Sequence, residues 1–242
     1  MKSEETTLDS IRDIRLVQSK KGYRFSVAAL LLENFISVKK GARLAEFGTG
    51  SGIVSLLLAK RLQEVTITAI EVQDSLAGYA EKNVKLNGLE DIIDVFTADI
   101  RKLKKRFQPH TFDAVFSNPP FRKLRSGLVS AEGERAIARH EIKISLPEII
   151  RMASYLLKDM GRLYLLYHPF RMVEVITLLH GARLEPKRIR FVHSRRGEEA
   201  KMVLIEAVKG SRLWLNVDPP LFIHAQGSTY TEEMKKVLGK NV

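Results

Sequence analysis

The sequence has no cysteine among its 242 residues. Disulfides, thiolate metal sites and cysteine nucleophiles are therefore excluded, and nothing favours an oxidising compartment. Long apolar runs are missing too: no stretch approaches the ~20 residues that cross a bilayer. The N-terminus, MKSEETTLDSIRDIRL, is charged and lacks the apolar core of a signal peptide. A soluble, cytoplasmic chain without membrane contact is expected. Internal repeats and low-complexity tracts are absent as well. Acidic residues are scarce relative to basic ones, 28 Asp and Glu against 40 Lys and Arg, which leaves a net charge of +12. A surplus of this size attracts polyanions, nucleic acid first among them. It also serves as a solubilising surface, or as the charge enrichment of a thermophile.

What is present is enough for one large core. Hydrophobic residues make up 45% of the chain, which fits one domain with at most a small extension. Strand-like and helix-like segments alternate through its middle. ARLAEF (42–47), VTITAIEV (65–72), IIDVFTAD (92–99), FDAVFS (112–117) and GRLYLLYH (161–168) read as strands. IVSLLLAKRL (53–62), LAGYAEKNVKLNG (76–88), LPEIIRMASYLL (146–157) and MVEVITLLHG (172–181) read as helices between or after them. RLEPKRIRFVHS (183–194) and AKMVLIEAVKG (200–210) are separated by a short loop, which predicts an antiparallel pair at the sheet edge. The alternation predicts an α/β, doubly wound, mostly parallel sheet with an antiparallel late hairpin. Ligands of such sheets sit at the carboxyl ends of the strands, where the strand order reverses. Residues 1–40 read as an N-terminal cap carrying the helix FSVAALLLENFIS, residues 41–210 as the main domain, and 211–242 as a short C-terminal tail.

Four stretches carry chemistry. In EFGTGSG, Gly48, Gly50 and Gly52 alternate after Glu46, between a strand and a helix. Glycine lets the backbone approach a ligand closely, and the helix that follows aims its first amides at whatever fills the turn. Glu71, with Val72 beside it, ends the next strand about twenty residues on, where an acid can accept ribose hydroxyls. Asp99 ends the third strand and is followed by Ile100. Its carboxylate suits an adenine amino group, and it equally suits the N-cap of a helix starting near Arg101. The fourth stretch is SNPPF. Two prolines forbid further ladder or helix and set a stiff corner. Asn118 offers an amide oxygen, Pro119 a carbonyl without an N–H beside it, and Phe121 a ring. Two acceptors and a ring match a flipped-out base carrying a planar amine.

In this order, Glu46 to Gly52, Glu71, Asp99 and Asn118-Pro119-Pro120-Phe121 resemble the class I S-adenosylmethionine-dependent methyltransferases that modify amino nitrogens. Within that class the chain looks like the small-domain methyltransferases. GYRFSVAALLLENF (22–35) and AIARHEIKISLPEII (136–150) are similar to bacterial tRNA adenine N6-methyltransferases that act beside the anticodon of a valine tRNA. The likeness runs over roughly residues 10–208, with one departure: Ala28 stands where relatives often carry Asp.

The resemblance implies a seven-stranded Rossmann-like methyltransferase sheet. It implies S-adenosylmethionine as cofactor, held by Glu46, Gly48, Gly50, Gly52, Glu71, Val72, Asp99, Ile100 and Asn118. Asn118, Pro119, Pro120 and Phe121 would carry catalysis without a metal. The substrate implied is an RNA, foremost a tRNA methylated at adenine N6 next to the anticodon. Ribosomal RNA guanine N2, a protein glutamine amide, and a non-catalytic RNA-binding module remain as alternatives. Arg122, Lys123, Arg125, Arg135 and Arg139 follow the corner and are expected to contact phosphates, with His140 ordering their loop. Lys187, Arg188, Arg190, Arg195 and Arg196 form a second basic set, read either as an RNA surface or as a solvated face. Trp214 and Tyr230 in the tail read as core first, with RNA stacking as the alternative. The oligomeric state is left between a monomer and a weak dimer.

Overall fold

The computed structural model describes residues 6–20, 26–62, 64–119 and 145–239. The chain opens with an antiparallel hairpin, β1 (Thr6–Ile11) and β2 (Ile14–Ser19). The helix α1 (Val27–Phe35) follows. Then come β3 (Arg43–Phe47), α2 (Ile53–Leu62), β4 (Thr66–Glu71), α3 (Asp74–Leu86) and β5 (Ile93–Thr97). A 3-10 turn over Ile100–Lys105 leads to β6 (Phe112–Ser117). The second half holds α4 (Leu146–Leu156), β7 (Leu157–Tyr167), α5 (Met172–Gly181), β8 (Leu184–His193) and β9 (Ala200–Lys209). Two short strands, β10 (Asn216–Val217) and β11 (Leu221–Phe222), and the helix α6 (Glu232–Leu238) end it.

The main sheet runs β10-β8-β9-β7-β6-β3-β4-β5, with β11 also on β8. β5, β4, β3, β6 and β7 are parallel, and β9 pairs antiparallel with both β7 and β8. This is the expected doubly wound sheet with its late antiparallel hairpin. The order reverses at β3: the chain first winds outward through β4 and β5, then crosses to β6 on the other side. Central strands are buried on both faces, as a parallel sheet covered by helices requires. Successive residues serve opposite cores. Leu44, Ala114 and Phe116 pack with α1 and α2, while Ala45, Phe47 and Val115 pack with α4. Local signals set the boundaries. Gly88 takes a left-handed φ of 61° just past α3, the usual place for glycine after a helix. Ser145 donates its N–H to the Glu148 carboxylate at 2.9 Å at the start of α4, half of a capping box.

Two expectations are corrected. The late hairpin does not form the sheet edge, because β10 and β11 add in parallel to β8 and bring the sheet to nine strands rather than seven. Beyond residue 210, Met234 and Val237 of α6 are buried in the same core as α1. Trp214 is 71% exposed, since it precedes β10 outside the core, and its indole N–H donates to Asn216 Oδ1 at 3.0 Å. Tyr230 does pack on the core and stacks on His224. The N-terminal hairpin was not legible as strands, because TTLDSI alternates only weakly in polarity.

Candidate active site

Strand register gathers the sequence motifs at one edge. Phe47 pairs with Ile70 on β4 and with Ser117 on β6. Glu71 pairs with Thr97 on β5. The glycine turn after β3 therefore stands between Glu71 on one side and Asn118 on the other, with Asp99 one strand further out. The Ser117 hydroxyl donates to the Phe47 carbonyl at 2.7 Å and ties the two central strand ends together.

The turn is held by its neighbours. Gly48, Gly50 and Gly52 take φ of 75°, 58° and 88°, the region that costs L residues with a Cβ about 1–2 kcal/mol. A Cβ on Gly52 would also stand 3.4 Å from Ala80 Cβ. The Gly48 and Thr49 amides both donate to the Ile70 carbonyl, at 2.8 and 3.0 Å. Glu46, buried at the end of β3, accepts the hydroxyls of Thr49 and Ser55, so it joins the turn to α2. Burial pushes its carboxyl up to about 7, against those two hydroxyl bonds, and the nearby Glu71 carboxylate adds to the rise.

Glu71 is 5% exposed and already engaged. Its Oε2 accepts the Gly50 amide at 3.0 Å, and its Oε1 accepts the Val72 and Gln73 amides at 2.9 and 3.0 Å. A carboxylate has about four lone-pair sites, so acceptor capacity remains for a ligand hydroxyl. Asp99 caps the 3-10 turn by accepting the Arg101 amide at 2.9 Å, and it also pairs with the Arg101 side chain. Those bonds to Arg101 hold its carboxyl below the ordinary range. Ile100 is fully buried beneath it.

The other side of the turn is different. Asn118 Oδ1 is buried and accepts no hydrogen bond. Among the described residues, the other buried side-chain polar atoms without a partner are Ser51 Oγ and His224 Nδ1. Ser51 belongs to the glycine turn, so two of these three atoms lie at this edge. Buried polar atoms are normally satisfied. An unpartnered buried acceptor at a topological switch point suits a polar ligand. Pro119 is buried beside Asn118. Pro120, Phe121, Arg122, Lys123, Arg125, Arg135, Arg139 and His140 lie outside the described residues.

The second basic set is mostly consumed within the fold. Arg188 pairs with Glu206 and donates to the Phe35 carbonyl, Arg190 pairs with Glu233, and Lys187 donates to the Arg212 carbonyl. Arg195 pairs with Glu198, and Arg196 lies over the Phe222 ring.

Sequence reasoning missed one organiser of the site. Asn83 on α3 is fully buried; its Nδ2 donates to the carbonyls of Ser51 and Val17, and its Oδ1 accepts the Val17 amide. One side chain thus fastens the N-terminal hairpin to the glycine turn. Its signal was available: a polar residue on the same helical face as Ala80 and Val84.

Comparison with known proteins agrees with this geometry. A Porphyromonas gingivalis protein named tRNA1(Val) (adenine(37)-N6)-methyltransferase is 32% identical over 163 residues, 66% of this chain and 63% of that relative. The chain thus spans less than two thirds of that relative's length. A Tolumonas auensis protein of the same name is 26% identical over 197 residues, 81% of each chain. Among solved structures, one titled a predicted O-methyltransferase from Agrobacterium tumefaciens superposes with a TM-score of 0.70 at 26% identity, over 88% of this chain and 95% of that one. M. jannaschii TYW2, solved in complex with AdoMet, shares the fold at a TM-score of 0.60 and 16% identity, over 86% and 87% of the two chains. The family model described as Methyltransferase small domain matches residues 22–181, and the chain belongs to that family.

Proposed function

We propose that this protein transfers a methyl group from S-adenosylmethionine to an exocyclic amino nitrogen of an RNA base, foremost adenine N6 beside the anticodon of a tRNA. The observation that carries the reading is the buried, partnerless Asn118 Oδ1. It stands at the strand end next to a glycine turn that Glu46 and Glu71 hold open. The two curated relatives supply the substrate class, since both carry the name of a tRNA adenine N6-methyltransferase.

The residues fit the cofactor. Three left-handed glycines bring backbone close to a ligand, Glu71 keeps capacity for a ribose hydroxyl, and Asp99 with Ile100 borders the place for the adenine. When bound, S-adenosylmethionine supplies an electrophilic sulfonium methyl. This chain supplies position and field. Asn118 Oδ1 and the Pro119 carbonyl accept the two amine hydrogens of the base. That fixes the nitrogen and stabilises the positive charge it gains on attack, an electrostatic role. Holding the nitrogen in line removes orientational entropy from the barrier. Phe121 stacks on the base, and Arg122, Lys123, Arg125, Arg135 and Arg139 meet phosphates. No side chain is needed as a general base.

The test is methyl transfer from radiolabelled S-adenosylmethionine to total tRNA, ribosomal RNA and a release factor in parallel. Label in tRNA, recovered as N6-methyladenosine, is expected. Label in ribosomal RNA guanine or in protein moves the substrate to a neighbouring class, and no label in any arm removes the enzymatic reading.

A further inference from the structure

At the active-site edge one aromatic ring is left in the open. Phe170 is 77% exposed, and Val173, one turn on, is 81% exposed. Single exposed apolar residues are ordinary, but this one is held in place. Tyr167 ends β7, and Pro169 opens a 3-10 turn, Pro169–Arg171, that carries the ring. Arg171 closes the turn, pairing with Glu174 through two contacts of 2.8 and 2.9 Å and donating to the Tyr167 hydroxyl. His168 stacks beneath Phe170, with ring centroids 5.1 Å apart and planes at 27°. The His168 ring is itself anchored, its Nδ1 2.9 Å from the Lys201 carbonyl. A proline, a salt bridge and a stacked imidazole thus hold an apolar face toward water.

The position is as telling as the rigidity. β7 lies beside β6, and Leu165 pairs with Ser117. Asn118 is one residue past that rung and His168 three. With strands about 4.8 Å apart and a rise of about 3.3 Å per residue, their backbones are roughly 8 Å apart. The exposed patch around Trp214 has no such neighbour: β10 joins β8 near Arg188, well before the carboxyl end of that strand.

We propose that the Phe170–His168 stack is a platform for a nucleobase adjoining the methylated base in the RNA. This rests on the RNA methyltransferase reading above and deepens it. A base flipped into a pocket loses its stacking partners, and so does its neighbour in the strand. A rigid aromatic face beside the pocket restores that stacking for any base, without a hydrogen-bond code. The net charge of +12 supplies the general attraction to phosphates, and the ring sets where the strand lies.

The experiment compares wild type with Phe170→Ala and Phe170→Trp, using total tRNA for turnover. A second probe is an RNA hairpin whose loop carries a target adenosine next to 2-aminopurine, read by fluorescence. Phe170→Ala is expected to raise KM for tRNA by about tenfold, with kcat, melting temperature and S-adenosylmethionine affinity unchanged. The slope of binding against salt should also hold, because stacking releases no counterions. Quenching of 2-aminopurine on binding should be present in wild type and Phe170→Trp and absent in Phe170→Ala. An unchanged KM with unchanged quenching overturns the platform, as does a loss confined to melting temperature or cofactor affinity. The failure of the parent reading looks different: wild type itself transfers no methyl to RNA.

Discussion

The two flanks of the glycine turn are built in opposite ways. On the cofactor side the three carboxylates are already paired. Glu71 accepts three backbone amides, Glu46 accepts two hydroxyls, and Asp99 takes both the amide and the guanidinium of Arg101. Toward β6 the Asn118 Oδ1 acceptor has no partner among the described residues. A satisfied network fixes geometry before a ligand arrives. An orphaned buried acceptor costs stability until something donates to it. The pattern is that of a cofactor side built in advance and a substrate side completed by the reacting molecule.

The largest expected effect breaks this comparison at its open flank. Asn118→Ala removes an acceptor that has no partner among the described residues. Melting temperature and cofactor affinity should therefore hold, while turnover falls by ~10²–10³, the usual loss for one preorganised electrostatic contact. Asn118→Asp keeps an acceptor and should retain part of the rate. Parallel loss of melting temperature and turnover in Asn118→Ala would make the corner structural instead.

Next in size is a pH effect on the paired flank. Burial raises the Glu46 carboxyl from 4.5 to about 7. Between those values the folded chain keeps a proton that the unfolded chain has released. The stability Glu46 contributes is thus complete below about pH 4.5 and is lost as pH rises toward 7, by about 3 kcal/mol at most. Glu46→Gln carries no such proton. Its unfolding free energy should stay flatter across that window, and urea titrations at several pH values read the difference. Equal slopes for the two proteins would mean that Glu46 is ionised in the fold.

Glu71 sharpens the contrast between holding and binding. Glu71→Ala should weaken S-adenosylmethionine by ~2–3 kcal/mol, through lost charge-assisted bonds. It also releases the Gly50, Val72 and Gln73 amides, so melting temperature should drop with it, unlike in Asn118→Ala. Calorimetry and melting curves on both variants give the comparison directly. Unchanged cofactor affinity in Glu71→Ala would confine Glu71 to bracing the turn.

How much of this was legible follows the same divide. The strands β3 and β6 and the helices α2 and α5 were readable because apolar period, glycine and proline all agreed there. The glycine turn and SNPP were readable because those residue types restrict the backbone by themselves. The ties between distant segments were not. Nothing near Glu71 in sequence says that Gly50 will donate to it, and nothing near Asn83 says that it will meet both Val17 and Ser51. The strands β10 and β11 were missed for a related reason. Two residues carry no period, and their pairing with β8 depends on a sheet edge that only the finished fold supplies.

The smallest expected effect concerns Asp99, where capping and ligand binding share one carboxylate. Arg101 engages it twice, through its amide at 2.9 Å and through its side chain. Arg101→Ala removes the side-chain contact to Asp99 and a longer one to Glu148 at 3.8 Å, and leaves the amide in place. The cap persists, so the 3-10 turn and the melting temperature should hold, in keeping with the small contribution of exposed ion pairs. The Asp99 carboxyl should titrate closer to the ordinary range, because the bonds that depress it come chiefly from that side chain. With its guanidinium partner gone, the carboxylate is a freer acceptor for an adenine amine. Cofactor affinity should then stay level or tighten by about twofold, within the scale of a surface pair. Asp99→Ala removes cap and acceptor together and should lower both melting temperature and affinity. Weaker cofactor binding in Arg101→Ala would show instead that Arg101 holds Asp99 in its binding pose, which would make the ion pair part of the prebuilt flank.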